Sequence, residues 1–132
     1  MNIALCVDDD MGMLFNSRRQ SRDRELIKDF AEMAGKNKIF IAPYSEILFQ
    51  EYDVATDENM LDVAGKNDFC FVEKENILPF SSKINKLIIY KWNRKYPSDF
   101  TFLMPEGFTL AETYDFKGSS HEKITKEVYI SE

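Results

Sequence analysis

The chain has 132 residues, 44% of them apolar and 14% aromatic, and its 17 Lys and Arg against 23 Asp and Glu give a net charge of −6. That length suits one hydrophobic core and is too short for two independent ones, and the apolar share offsets enough chain entropy to exclude wholesale disorder. The negative charge disfavours general nucleic-acid binding and favours a basic protein partner, and no apolar run reaches the ~20 residues of a bilayer span. Met1 to Val7 is too short and too quickly acidic for a secretion signal, so the expectation is a single cytoplasmic domain over residues 1–132, with no membrane contact.

Ile3 to Val7 is a continuous apolar run, expected as a buried strand, and Asp8-Asp9-Asp10 ends it by solvation. Oxygen ligands at a strand end suit Mg²⁺, but consecutive side chains there point different ways, so a solvated strand end is preferred and no metal is assigned. From Ser21 to Ala34, residues Leu26, Ile27, Phe30, Met33 and Ala34 share one helical face. Ser21 is the expected cap, Asp23 and Glu25 suit the positive end of the dipole, and Gly35 is the stop. Ile39 to Ala42, closed by Pro43, forms a second strand, and strand, helix, strand in this order implies parallel neighbours with a right-handed crossover.

Ser45 to Tyr52 reads as a short helix, whereas Asp53 to Asn67 is polar, anchored only by Met60, Leu61 and Val63, and carries no assignable period. Phe69 to Val72 and Leu87 to Tyr90 are two further strands, with room for one helical turn between Asn76 and Lys86. Alternation at Phe108, Leu110, Glu112, Tyr114 and Phe116, and again at Ile124, Lys126, Val128 and Ile130, predicts two half-buried strands. The polar stretch Lys117 to Lys123 makes them an antiparallel hairpin, with His121 exposed in its loop. Cys6 and Cys70 lie inside apolar runs and are expected as packed, reduced thiols.

Arg18, Arg19, Arg22 and Arg24 cluster at the start of the helix, where free amides and the dipole favour anions. Guanidinium groups there can grip a phosphate or carboxylate, and the competing reading is neutralisation by Asp8 to Asp10 and Asp23. Trp92 to Pro97 interleaves aromatic and basic side chains and reads as a turn in preference to a nucleotide platform. Neither a P-loop nor a Ser-His-Asp sequence pattern is present.

Three segments carry a resemblance to dihydrofolate reductase. Ile3 to Asp8 with Met11-Gly12-Met13 resembles that family's first strand and the loop that closes over substrate. Lys86 to Tyr90 with Asp99 to Phe102 resembles its late strand and the acid-containing segment that follows, and Phe108 to Tyr129 resembles its closing hairpin. The resemblance implies an α/β fold built on a mixed, mainly parallel sheet with a C-terminal antiparallel hairpin. It also implies a catalytic carboxylate on the first helix, for which Glu25 is nearest in position and Leu26 the alternative pocket-facing residue.

Two departures touch the cofactor. Where the family has Gly-Gly after a central strand, this chain has Glu73-Lys74-Glu75-Asn76, whose carboxylates and bulk oppose a diphosphate. Where the family has an arginine-bearing turn after the second strand, this chain has Ala42-Pro43-Tyr44-Ser45, so NADPH is disfavoured. The expected function is a non-reductase domain that binds a small anionic or aromatic ligand beside Met11 to Asn16, through Asp8, Met13, Asn16, Arg18, Arg19 and Arg22. An acidic protein-interaction domain and a divergent NADPH-dependent reductase are the alternatives. The opening Cys6 to Ser21 is also similar to a small bacterial family labelled ribonuclease Z, but one histidine cannot furnish the binuclear zinc cluster such a nuclease requires.

Overall fold

A computed structural model describes residues 1–132. In chain order the strands are β1 (Asn2–Val7), β2 (Gly12–Phe15), β3 (Arg18–Arg19), β4 (Ile39–Ile41), β5 (Ala55–Thr56), β6 (Phe69–Phe71), β7 (Lys86–Lys91), β8 (Phe100–Thr101), β9 (Phe108–Phe116) and β10 (Ile124–Ser131). Two α-helices, α1 (Arg24–Ala34) and α2 (Met60–Val63), and 3-10 helices at Pro43–Leu48 and Leu78–Lys83 connect them.

Side chains alternate across a strand, and β1 uses this to divide the interior in two. Ile3, Leu5 and Val7 enter one apolar cluster with Leu87, Ile89 and Met60. Ala4 and Cys6 enter the other, where Leu26, Ile27, Phe30 and Ala34 of α1 pack on Phe69, Phe71 and Tyr90. The sheet that separates the clusters has the order β5-β4-β6-β1-β7-β10-β9. From β5 to β7 every pairing is parallel, and β10 runs antiparallel to both β7 and β9. The ends of β1 and β6 therefore open on the same side as the start of α1, the usual location of a site in such sheets.

The helix begins two residues later than its sequence pattern suggests. Asp23 is the cap, accepting from the N–H groups of Glu25 and Leu26, and Ser21 lies outside the helix. Asp outcompetes Ser there because its carboxylate serves both amides and complements the dipole. Gly35, at φ 59°, ends the helix as expected.

The Met11–Asn16 region is an ordered hairpin rather than an open loop. β2 pairs with β3 and with β8 in a separate three-stranded antiparallel sheet. The two-residue turn, Asn16-Ser17, has φ of 51° and 60°, the left-handed pair that a right-twisted hairpin demands. Within Asp53 to Asn67, where no period was legible, short β5 and α2 occur, α2 held to the core by Met60 and Leu61. The closing hairpin forms as expected, yet β9 is largely exposed because it is the edge strand; Leu110 and Tyr114 are 46% and 49% accessible rather than half-buried. No helix is long and apolar enough to cross a membrane.

Candidate functional site

Behind the β2–β3 hairpin, Cys6, Met13, Arg19, Leu26, Ile27, Phe71, Glu73 and Trp92 line an interior cavity of about 20 Å³, room for roughly one water molecule. Its polar wall is an ion pair. Arg19 donates from Nε and Nη2 to the two carboxylate oxygens of Glu73 at 2.8 and 2.9 Å, and Ser45 Oγ donates to Glu73 Oε1 at 2.7 Å. Arg19 also donates to the Tyr44 carbonyl at 3.0 Å and lies over its ring. The hydrogen bonds it donates to Glu73 are the main reason the guanidinium is held even more firmly protonated than usual. Arg19 thus belongs to an internal clamp that ties the hairpin to the end of β6, and its neutralising partner is Glu73 rather than Asp8 to Asp10.

A second polar assembly stands at the start of α1. Asp23, 3% accessible, accepts at Oδ1 from the N–H groups of Glu25, Leu26 and Ser119, and at Oδ2 from the N–H of Ser120 at 2.8 Å and His121 Nδ1 at 3.0 Å. Burial by itself raises this carboxyl, but the bonds from Ser119, His121, Ser120 and Leu26 outweigh it and hold Asp23 well below the usual carboxylate range. His121 is 4% accessible, not exposed in its loop as expected, because Asp23 binds one ring nitrogen and Trp92 stacks on the ring with centroids 4.6 Å apart. Its Nε2 lies 3.2 Å from Ser21 Oγ and 3.0 Å from Tyr96 OH. Three residues with no motif spacing, Ser21, Asp23 and His121, are gathered by the β9–β10 loop folding onto the helix start. The single histidine of an acidic chain was the available signal, and its burial was the part that sequence could not supply.

An open cleft of about 540 Å³ flanks the hairpin, lined by Phe15, Asn16, Arg18, Arg19, Gln20, Tyr96 and Pro97. Phe15 is 44% exposed, and Arg18 is exposed with no carboxylate partner among the ion pairs. Gln20 Nε2 donates to Asp8 Oδ2 at 3.0 Å, while its Oε1 is buried without a partner in the chain. On the opposite side of Asp23, a second opening of about 480 Å³ is bordered by Arg22, Arg24, Leu48, Tyr52, Ser119 and Ser120.

The remaining candidates divide by burial. Asp8, 2% accessible, accepts from the N–H groups of Asp10, Gly12 and Tyr96 and from Gln20. Burial opposes ionisation there, and these bonds still hold the carboxyl below its ordinary value. It organises the strand end, while Asp9 and Asp10 face solvent. Met13 is packed in the core. Asn16 occupies the hairpin turn and donates its N–H to Asp99. Arg22 is exposed beside both the interior cavity and the second opening. Glu25 is exposed on α1, whereas Leu26, not Glu25, faces the interior cavity.

No family model matches the chain, and no curated protein matches it in sequence. Among solved structures, it is similar to a dihydrofolate reductase from Enterococcus faecalis complexed with NADP(H) and RAB-propyl. The two share 9% identity, and the match covers 98% of this chain and 95% of that one at a TM-score of 0.70. After Phe71-Val72 at the end of β6 no glycine stands, and the Glu73 carboxylate there, fixed by Arg19 and Ser45, is a group whose bulk and charge do not fit a diphosphate. The strand order, the crossover helix and the terminal hairpin, with this likeness, give the chain the dihydrofolate-reductase-like fold.

Proposed function

We propose that this domain retains the dihydrofolate-reductase-like scaffold without hydride-transfer chemistry and binds a small anionic, aromatic ligand in the cleft beside the β2–β3 hairpin. The observation that carries this reading is the meeting, in one open cleft of about 540 Å³, of the exposed Phe15 ring and the unpaired Arg18 guanidinium. An aromatic face and a planar cation together suit a ring bearing a carboxylate or phosphate. The buried, unpartnered Oε1 of Gln20 adds an acceptor for a ligand N–H or O–H. The interior cavity argues against a pterin-sized guest, since about 20 Å³ admits no ring. With Glu25 directed to solvent and Leu26 inward, the inner wall offers no helix carboxylate other than the fully engaged Asp23.

Phenylphosphonate combines the two required features and serves as the probe. Titrated into the ¹⁵N-labelled chain, it is expected to shift the amides of Phe15, Asn16 and Arg18 saturably, and Arg18→Ala is expected to weaken binding about tenfold. Equal affinity in the variant, or shifts scattered over the surface, would remove the cleft from consideration.

A further inference from the structure

Nothing in the ligand-binding reading uses the assembly around His121, and its geometry carries a separate chemistry. Because Asp23 accepts from several donors at once and is ionised, the atom facing its Oδ2 must bear a proton; Nδ1 of His121 is therefore the N–H. In the neutral ring that leaves Nε2 as a bare acceptor, 3.2 Å from Ser21 Oγ. Carboxylate, imidazole and hydroxyl are thus in the order and at the spacings of a nucleophilic relay, with the carboxylate fixing tautomer and ring orientation. Trp92, stacked on one face of the ring, removes its rotational freedom. Ser21 is half-buried, on the border between the interior cavity and the surface, so its hydroxyl is reachable while the histidine and aspartate behind it are not.

Two further features match the needs of acyl transfer. The backbone N–H groups of Ser21, Arg22 and Asp23 engage no acceptor within the chain, so donors next to the nucleophile are free to meet a developing oxyanion. Arg22 is exposed, with no carboxylate within ion-pair distance, and attracts a substrate that carries negative charge. Tyr96 OH, 3.0 Å from Nε2 and on the wall of the open cleft, shares that nitrogen's one lone pair with Ser21 and gives it up when Ser21 transfers its proton.

We infer that Ser21, His121 and Asp23 form an acyl-transfer site for small anionic carboxylic esters, with Ser21 as nucleophile, His121 as general base and acid, and Asp23 as the group that positions it. As Ser21 Oγ bonds to the acyl carbon its proton passes to Nε2; the ester C–O bond breaks and the departing alkoxide takes that proton. Water then attacks the acyl carbon and gives a proton to Nε2, the Ser21 Oγ–acyl bond breaks, and Nε2 returns the proton to Oγ as the carboxylic acid leaves. No oxidant, metal or cofactor enters the balance. The site does not depend on the cleft ligand of the preceding proposal.

The test is covalent labelling of the whole chain with a fluorophosphonate, read by intact mass and peptide mapping, beside hydrolysis of a p-nitrophenyl hemisuccinate ester. A single adduct on Ser21, abolished in Ser21→Ala, is expected, with ester turnover lowered at least about 100-fold in that variant and a pH profile that rises with deprotonation of one group in the wild type. Ser21 is not a core residue, so Ser21→Ala tests the site in a folded chain, verified by its melting curve; His121→Gln, which can disturb packing, is secondary. A folded wild type that takes no label on Ser21, or a Ser21→Ala variant that hydrolyses the ester as fast as the wild type, overturns the assignment.

Discussion

Replacing Asp23 by Asn tests how far one buried carboxylate holds the molecule together. The better orientation of the amide keeps its oxygen at the Oδ1 position, where it still accepts from Glu25, Leu26 and Ser119. Its NH₂ then faces the Ser120 N–H and His121 Nδ1, both previously bound to Oδ2. Leaving two such donors unpaired costs about 1–3 kcal/mol each, but His121 can relieve one clash by moving its proton to Nε2, which two hydroxyl oxygens can accept. The net destabilisation is therefore about 1–3 kcal/mol, which for a chain of this length lowers Tm by roughly 4–11 °C. Urea unfolding followed by circular dichroism at pH 7 reads it as a lower midpoint at constant slope. The dependence on pH has a definite sign. The folded carboxyl of Asp23 lies below its unfolded value, so its contribution is complete above about pH 5 and is lost as pH falls through about 4 towards the folded value. The gap between wild type and Asp23→Asn should narrow on acidification. A gap below about 0.5 kcal/mol at pH 7, or one that widens towards pH 3, would refute the reasoning.

Gly118→Ala is expected to lower stability by about 1–3 kcal/mol in the same assay, because the added Cβ would stand 2.9 Å from both the Asp23 Cγ and the His121 carbonyl oxygen. Arg19→Met leaves the Glu73 carboxylate, 11% exposed, without its cation and should cost about 3 kcal/mol, whereas Arg19→Met with Glu73→Leu should recover much of it; no recovery in the double-mutant cycle would show that the pair is not coupled. Ser17→Gly should raise the urea midpoint by the equivalent of about 0.5 kcal/mol, since Ser17 sits at φ 60° where glycine is unstrained. Burial pushes the Cys70 thiol up to about 12 and Cys6 well above its ordinary value, so neither should react with a thiol reagent at pH 8 until the chain is unfolded.

The parts of the fold that could be read from sequence are those with a strong local period. Ile3 to Val7, the Leu26–Ile27–Phe30–Ala34 face and the paired alternations of the last two strands mark their elements because burial on one or both faces leaves a direct trace in the order of residues. Ser21 and Asp23 both suit a helix cap, and the choice between them is made by the β9–β10 loop, about a hundred residues away, which no local pattern reveals. β5 and α2 were hidden because two- and four-residue elements have no period to show. The site was less legible than the fold. Charge signs at Glu73 and Arg19 were visible, but that they neutralise each other is a fact of the β6–hairpin contact. His121 is the sole histidine, and its meeting with Ser21, Asp23, Trp92 and Tyr96 exists only in three dimensions.

The central claim is that the fold is shared while Glu73 at the end of β6 is unsuited to a dinucleotide and the inner cavity has the size of about one water. Trp92 borders that cavity and stacks on His121, so its fluorescence reports on any guest that enters. Titration of the chain with NADPH and with methotrexate, followed by this emission and by calorimetry, is the most direct measurement. The account predicts no saturable signal from either at micromolar concentration, with the Arg19–Glu73 pair intact; saturable micromolar binding of NADPH would contradict it and restore a divergent reductase.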